Sequence, residues 1–307
     1  MIKDFNSLIE NMKNFSPTKL SVAQADDEYV MLAVKEATER KMVKPYLCGE
    51  KKAIERQVKK VGLSMKDMEI IDTDKENAAK EAVKLVSSNE AHVLMKGMVS
   101  TSAFLRAVVN KEYGLRTGRL LSHVAALEAP TLDRIIFVTD GGMNIEPSLE
   151  QKVDILKNGI STLKSLGYGD IRVAILSASE AVAPNMPSTI DAAIICKMVD
   201  RGQIKGAMVD GPLALDNILD KEAAISKGID SPVAGKADLI LVPNIETGNV
   251  LGKSVTFLSK GHMAGLIAGA RAPIVLSSRA DSMFSKLSSI ALACLTVKGG
   301  DMNAKNK

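Results

Sequence analysis

The apolar positions of this chain switch repeatedly between the spacing of a strand and the spacing of a helix. Short apolar runs predict buried strands at residues 19–24, 44–48, 69–72, 92–95, 134–139, 172–177, 206–209, 238–242 and 273–277. Longer stretches with a period of about 3.6 residues predict helices between many of them, at residues 27–41, 73–86, 149–166 and 213–227. This alternation predicts βαβ units and a mostly parallel sheet with helices on both faces.

The number of predicted strands bears on the domain organisation. Nine strands are more than one compact sheet in a chain of 307 residues usually carries, so we expect two α/β lobes. The break is expected after residue 140, where a strand runs into Gly141 and Gly142 and Pro147 soon follows. Beyond residue 300 the tail has the composition of a disordered segment.

Composition and charge exclude several classes of partner. Hydrophobic residues make up 46% and charged residues 25%, as in ordinary globular proteins. Aromatic residues are only 3%, which argues against a platform that stacks nucleic-acid bases. The formal charge of +4 is too even for a protein that neutralises many DNA phosphates. We therefore expect no nucleic-acid partner.

The cysteines and the N-terminal segment predict a soluble cytoplasmic protein. The three cysteines are odd in number and far apart in sequence, so buried thiols are expected rather than a disulfide framework: Cys48, Cys196 and Cys294. The first residues lack the continuous apolar stretch of a signal peptide. No window approaches the roughly 18 apolar residues of a membrane helix, so no membrane partner is expected.

Some segments suggest a ligand site or a packing motif but do not match the pattern that it requires. Residues 248–254 read GNVLGKS, one residue short of the phosphate loop, because Thr247 stands where its first glycine belongs. We expect Thr247 to cap a helix that runs to about residue 260. The glycines of residues 261–269 are interpreted as close helix packing or a turn. The histidines are not spaced as metal ligands: His92, His123 and His262.

One polar constellation carries candidate chemistry. Ser277, Ser278 and Arg279 follow an apolar strand and precede a helical pattern. Hydroxyls, a guanidinium and the unpaired amides of a helix start would form an anion site. The alternative is that Ser278 caps the helix and Arg279 pairs with Asp281, and the residues alone leave the two open.

Two further segments suit an anionic ligand. Ser100, Thr101 and Ser102 follow a strand and open a helix with Arg106 on it, which makes a second phosphate-suited corner. Residues 231–236, with small side chains and a proline, lead into the strand that ends at Asn244 and could fix a loop close to an extended ligand.

These segments resemble one family. SPVAGKADLILVPNIETGNVLGK, KGMVSTSAFLR and PIVLSSRADS, at residues 231–253, 96–106 and 273–282, are similar to phosphate acetyl/butyryl transferases. The stretch GLRTGRLLSHVAALEAPTLDRIIFVTDGGMNIEP, at residues 114–147, is closer to the butyryl branch than to the acetyl branch. The resemblance extends over nearly the whole chain.

The resemblance implies a fold and a reaction. The fold would be two α/β/α lobes like those of isocitrate and isopropylmalate dehydrogenases, with the active site in the cleft between them. The lobes would comprise residues 1–140 with 270–307, and residues 141–269. The reaction would be butyryl-CoA plus phosphate giving butyryl phosphate plus CoA, without a metal or bound cofactor. A homodimer or an assembly of dimers is also implied.

The resemblance also assigns roles to residues. Ser278 and Arg279 match the family's Ser-Arg pair, which holds the phosphate and the reacting carbonyl. Arg106 matches a phosphate-binding arginine, and Thr101 and Ser102 are expected to join it. The residues expected to bind coenzyme A are Lys236, Asn244, Thr247 and Gly248.

One position departs from the family pattern. Acetyl-branch relatives carry an aspartate six residues after the arginine as a base for the CoA thiol, and this chain has Ser285 there. Either Asp281 takes this catalytic role or the step needs no dedicated carboxylate, since a thiol with a pKa of about 8.5 is already partly ionised near neutral pH.

Three alternative functions remain from the sequence. The same chemistry could use acetyl-CoA, because the width of the acyl pocket is not encoded in any motif. A metal-dependent hydroxy-acid dehydrogenase of the same fold lacks its expected cluster of aspartates here. A non-catalytic binding protein would not need Ser278, Arg279 and Arg106.

Overall fold

The computed structural model describes residues 2–278 and 281–305, with residues 301–305 as backbone only. The strands are β1 Thr18–Ala23, β2 Val43–Gly49, β3 Glu69–Asp72, β4 Val93–Lys96, β5 Ser122–Glu128, β6 Ile136–Thr139, β7 Arg172–Leu176, β8 Met208–Leu213, β9 Leu239–Leu241, β10 His262–Ala268 and β11 Ile274–Val275. The helices are α1 Phe5–Asn11, α2 Glu28–Glu39, α3 Lys51–Val61, α4 Ala78–Ser87, α5 Thr101–Val108, α6 Leu149–Ser165, α7 Pro187–Asp200, α8 Leu215–Leu219, α9 Lys221–Ser226, α10 Ile245–Phe257 and α11 Met283–Lys305. The predicted α/β class is confirmed.

The chain divides into two compact units. The terminal unit comprises Asp4–Arg119 with Ala264–Lys307, and the central unit comprises Leu120–Met263 with Met1–Lys3. In the terminal unit the strand order is β3-β2-β1-β4-β11 with all neighbours parallel, and β10 runs antiparallel to β11. Helix α11 packs on α2, β4 and β11, so its apolar side chains complete the core of this unit.

The central unit contributes five strands that pair side by side. Its strand order is β5-β6-β9-β7-β8, with β5 antiparallel to β6 and the other neighbours parallel. Apolar side chains from these strands and the segments around them, among them Val138, Ile240 and Leu213, form one buried cluster. The strand pairing within each unit is therefore mostly parallel, as the alternating pattern predicts.

The observed division differs from the expected boundaries after residues 140 and 269. β6 pairs with β9, Phe137 opposite Leu239, so the strand before residue 140 is the direct neighbour of a strand that comes after it. β10 pairs with β11, Ile267 opposite Ile274, across the second expected boundary. Strand pairing, rather than the turn glycines, decides which unit a strand joins.

Two strands do not follow the sequence interpretation. β5 was not among the predicted strands, and residues 261–269 form β10 instead of a helix contact or simple turn. The glycine spacing imitates a packed helix, but Gly269 has a φ of 91°, a left-handed conformation that favours glycine and ends the strand. Both strands are antiparallel to the strand that follows them in sequence. An alternation of strands and helices predicts parallel neighbours, so it does not predict strands of this kind.

The helix predicted at residues 213–227 is two short helices. Asp220 separates α8 from α9, and its carboxylate accepts hydrogen bonds from the N–H groups of Glu222 and Ala223 at 2.8 and 3.4 Å. An aspartate that caps a second helix interrupts the first one.

The cysteines carry shielded thiols. Cys48 and Cys294 are buried and Cys196 is half-buried. Burial raises the pKa of each thiol to about 12. Few thiolates therefore form near neutral pH, which argues against a cysteine nucleophile.

No helix in the described part of the chain combines the length and apolar character that crossing a bilayer requires.

Candidate active site

Two segments leave the terminal unit's sheet at the same edge. β4 and β11 are neighbouring parallel strands, with Leu94 opposite Ile274 and Met95 opposite Val275. The residues that follow both strands therefore emerge together at the carboxyl edge, where open parallel sheets bind ligands. This pairing brings two groups of residues to one edge of the sheet. They are the serine corner (Ser100, Thr101 and Ser102), which follows β4, and Ser278, which follows β11.

Helix α5 begins at this edge. Its N-cap is Ser100, whose Oγ accepts a hydrogen bond from the Ala103 N–H at 3.2 Å. Thr101 and Ser102 are exposed in the first turn, and the hydroxyls of Ser100 and Ser102 lie 3.3 Å apart. Helix N-termini attract anions because their first N–H groups have no intrahelical partner. The predicted helix start at the serine cluster is confirmed.

Arg106 lies in the last turn of α5 and is exposed. No ion pair among residues 2–278 and 281–305 involves it. Its guanidinium is therefore available to an external anion.

Two hydrogen bonds join Ser278 and Asp281, the two ends of what we call the Ser278 turn. The Ser278 N–H donates to Asp281 Oδ2 at 2.6 Å, and the Asp281 N–H donates to the Ser278 carbonyl at 3.3 Å. The Ser278 side chain is exposed. Arg279, and with it the alternative pairing of Arg279 with Asp281, lies outside the described residues.

Ser278 does not cap the helix that follows. The hydroxyl of Ser282 accepts a hydrogen bond from the Ser285 N–H at 3.1 Å, as an N-cap residue does. The cap interpretation of Ser278 is therefore wrong, because the helix begins at Met283, after the turn has been completed. Ser285, at the family's aspartate position, is buried and receives a hydrogen bond from the Ser282 hydroxyl at 3.2 Å.

A buried lysine beside this turn is not among the site residues predicted from the sequence. Lys286 is only 2% exposed, and its Nζ donates to the Asp281 carbonyl at 2.5 Å. Burial lowers the pKa of Lys286, while the charges of Asp281 and Asp27 act in the opposite direction. A signal was present in the sequence, because Lys286 is the single charged residue between positions 283 and 297.

In the central unit, a second turn follows the carboxyl end of β6. The buried Asp140 carboxylate accepts hydrogen bonds from the N–H groups of Gly142 and Met143, both at 2.9 Å, and from Asn144. This carboxylate thereby fixes the backbone of the turn rather than facing solvent.

The N-terminus of α10 packs against that turn. Asn244 caps the helix, and its Oδ1 accepts hydrogen bonds from the Thr247 N–H at 3.0 Å and the Thr247 hydroxyl at 2.7 Å. The expectation that Thr247 caps this helix is therefore wrong, because Asn244 is the N-cap and Thr247 lies in the first turn of the helix. Gly248 touches Gly141 so closely that a Cβ on Gly248 would lie 2.6 Å from the Gly141 Cα.

The family of the chain follows from comparison with known proteins. A family model described as phosphate acetyl/butaryl transferase matches residues 75–294. The chain belongs to this family. The matched range contains Arg106, Asn244 and Ser278, so the resemblance inferred from the motifs is confirmed.

Relatives in this transferase family carry two activities. The chain is 48% identical to the phosphate butyryltransferase of Clostridium beijerinckii, over 96% of this chain and 98% of that protein. It is 43% identical to the phosphate acetyltransferase of Thermotoga maritima, over 90% of this chain and 94% of that protein. The crystal structure of a branched-chain phosphotransacylase from Enterococcus faecalis V583 superposes with a TM-score of 0.81 at 30% identity, covering 91% of this chain and 99% of that one.

The transferase fold separates the residues predicted to bind coenzyme A. Asn244, Thr247 and Gly248 lie together at and just after the carboxyl end of β9. Lys236 is exposed before the amino end of the same strand. Residues 237–242 run extended between them, since Asp238 and Val242 donate backbone hydrogen bonds to the neighbouring strands. At about 3.3 Å per residue this places Lys236 well away from the other three.

Proposed function

We propose that this chain transfers a short acyl group, butyryl in the first place, reversibly between coenzyme A and inorganic phosphate. Butyryl-CoA and phosphate give butyryl phosphate and CoA. The single observation that carries the proposal is the sheet edge shared by the α5 N-terminus and Ser278, in a chain of this family. The proposed reaction uses no metal or bound cofactor, and coenzyme A is a substrate.

The chemistry needs positive charge and hydrogen-bond donors at this edge. A phosphate oxygen forms a bond to the thioester carbonyl carbon, and the C–S bond breaks with its electron pair on the CoA sulfur. Between these events the carbonyl oxygen becomes negative. Groups that hold the phosphate and stabilise this oxyanion lower the barrier, since they are already in place when the charge develops.

We assign the phosphate to the serine corner at the N-terminus of α5. Thr101 and Ser102 offer exposed hydroxyls beside the helix amides, and Arg106 adds a planar guanidinium. Ser278 and Arg279 are assigned to the phosphate and the reacting carbonyl, because Ser278 emerges at the same edge.

We assign Asp281 to the turn and not to proton transfer. Its carboxylate accepts the short hydrogen bond from the Ser278 N–H, and the family's aspartate position holds the buried Ser285. A CoA thiol with an ordinary pKa of about 8.5 is a good enough leaving group to depart as a thiolate. The proposed mechanism therefore has no dedicated carboxylate base.

The remaining parts of the proposal concern coenzyme A and the cellular setting. Asn244 and Thr247 are proposed contacts of coenzyme A, whereas Lys236 is left out because it lies at the other end of β9. A homodimer or assembly of dimers in the cytoplasm, without nucleic-acid or membrane partners, completes the proposal.

A thioester-cleavage assay tests the reaction directly. CoA release from acetyl-, propionyl-, butyryl- and valeryl-CoA is followed with a thiol reagent, with and without phosphate or arsenate. We expect phosphate-dependent release with the highest kcat/KM for butyryl-CoA. A strong preference for acetyl-CoA would replace butyryl by the activity named for the Thermotoga maritima relative. Release that does not depend on phosphate or arsenate, or none from any thioester, would overturn acyl transfer to phosphate.

The same assay tests the assignment of the site. Arg279→Ala is expected to lose most of the phosphate-dependent CoA release while its circular dichroism spectrum stays that of the native protein. Full activity in this variant would contradict the Ser278–Arg279 assignment.

A further inference from the structure

A buried ammonium group is linked to the Ser278 backbone through a single residue. Lys286 Nζ donates to the Asp281 carbonyl at 2.5 Å, and the Asp281 carboxylate accepts the Ser278 N–H at 2.6 Å. Lys286 itself lies in the first turn of α11, with its N–H bonded to the Ser282 carbonyl at 3.0 Å. The helix and the turn are thereby fastened together by the Lys286 side chain.

A charged side chain at the buried position 286 needs an explanation. The charges of two carboxylates act on it, that of Asp281 and that of Asp27 at the N-terminus of α2, which packs against α11. Burial still outweighs them and lowers the pKa of Lys286. A buried charge costs free energy that an apolar side chain of similar length would not. Helix packing alone therefore does not account for a lysine at this position.

We propose that Lys286 is a positioning residue for the acyl transfer, holding the turn that presents Ser278 and keeping a fixed positive charge beneath the phosphate-binding edge. This inference rests on the proposed function. Lys286 is covered and reaches the Asp281 carbonyl instead of the solvent, so it acts through the turn and through its field. A positive charge in a site of low dielectric attracts the phosphate and stabilises the oxyanion over several ångströms.

The role predicts a loss of rate upon removal of the charge. Lys286→Met keeps an unbranched side chain but removes the ammonium, and we expect kcat for phosphate-dependent CoA release from butyryl-CoA to fall about 100-fold, the cost of a misplaced reactive group. KM for butyryl-CoA should stay near the native value, because Lys286 does not contact the coenzyme in this proposal. Lys286→Arg, which keeps the charge, is expected to recover a large part of kcat.

The matched control lies on the same helix. Lys298 is more than three turns further along α11, where its Nζ lies 3.4 Å from the Ser16 hydroxyl. Lys298→Met removes a lysine from the same helix without touching the Ser278 turn. We expect it to keep the native kcat.

A pH profile separates the electrostatic role from simple packing. In the native protein kcat should decline on the alkaline side as Lys286 loses its proton, at a pH below that of an ordinary lysine because burial lowers its pKa. Lys286→Arg should move this decline to higher pH, since a guanidinium stays protonated. Lys286→Met should lack it. Rates are followed by thioester absorbance, which avoids the pH dependence of a thiol reagent.

Several results would overturn the inference. They are a Lys286→Met variant with native kcat, or a folded Lys286→Arg variant whose alkaline decline is the same as that of the native protein. If Lys286→Met fails to fold, the Lys286→Arg profile decides alone. Absence of phosphate-dependent CoA release from the native protein would instead count against the proposed function itself.

Discussion

The Ser278 N–H and the Asp281 carboxylate are joined by a hydrogen bond of 2.6 Å. This bond joins the segment that follows β11 to the segment that precedes α11, and the Ser278 side chain is exposed at the sheet edge. It also occupies one oxygen of Asp281, the carboxylate that the sequence offers as a candidate base. A carboxylate that serves the backbone in this way is a structural acceptor, and this distinction can be tested.

The first prediction separates a structural from a catalytic Asp281. Asp281→Asn keeps a side-chain oxygen that can accept the Ser278 N–H, so kcat/KM should stay within about threefold of the native value. Asp281→Ala removes the acceptor and should lower kcat/KM about tenfold, the upper range for one lost hydrogen bond. If Asp281 were a general base, both variants would lose about 100-fold or more. The thioester-cleavage assay measures all three proteins.

A second prediction concerns Arg106 and the phosphate site proposed at the serine corner. Arg106→Ala should lower kcat/KM for phosphate by about 10- to 100-fold, as expected for loss of a charged hydrogen-bond donor. Arg56→Ala removes another exposed arginine, on α3, and should leave this value unchanged. The measurement varies phosphate at saturating butyryl-CoA. Equal effects of the two substitutions would count against a specific role for Arg106.

A third prediction tests the contact between Gly141 and Gly248. A Cβ on residue 248 would meet the Gly141 backbone at 2.6 Å, so Gly248→Ala must displace α10 from the turn. We expect the melting temperature to fall by about 5 °C, which corresponds to an overpacking cost of 1–3 kcal/mol.

The control for that substitution is Gly169→Ala. An added Cβ there meets no atom within 4 Å, and its melting temperature should match that of the native protein. A native melting temperature for Gly248→Ala would show that the helix can shift at little cost.

A fourth prediction uses the buried Asp238. Burial raises the pKa of Asp238, although Arg172 and Arg134 act to lower it. The folded protein therefore binds a proton that the unfolded chain has already released, so Asp238 reduces stability as pH rises from 3.8 through the folded pKa. Asp238→Asn keeps an acceptor for the Arg172 N–H, now bonded at 2.8 Å, and removes the titration.

The stability of Asp238→Asn relative to the native protein should therefore increase as pH rises from 3.8 through the folded pKa of Asp238 and then stay level, as measured by urea unfolding at each pH. A difference that is constant over this range, or that shrinks as pH rises, would contradict the assigned direction of the pKa shift.

Much of the fold is encoded locally. The period of the apolar residues marks β1 to β4, most of the strands of the central sheet, and helices such as α2 and α6, because each pattern reflects the face that the element must bury. The same apolar period places Ser278 and the serine corner after parallel strands, and therefore at the carboxyl edge of the sheet. The sequence motifs around these residues were sufficient to identify the family.

The tertiary structure decided what depends on partners distant in sequence. β5 and β10 became strands because each has an antiparallel neighbour to pair with, and no local period distinguishes them from a helix or loop. Gly248 and Gly141 are over 100 residues apart in sequence. They are in close contact only because α10 packs on the turn that follows β6. Lys236 and Asn244, close in sequence, are held at opposite ends of an extended strand.

Lys286 shows the same limit at the site. Its sequence context reveals a lone charge in an apolar helix, but its burial and its bond to Asp281 exist only because α11 packs on α2 and the Asp281 carbonyl comes close to the start of α11. Periodicity reports which face of an element is apolar. The energy of a buried polar group is set by the atoms that come to surround it, and these are supplied by the tertiary structure.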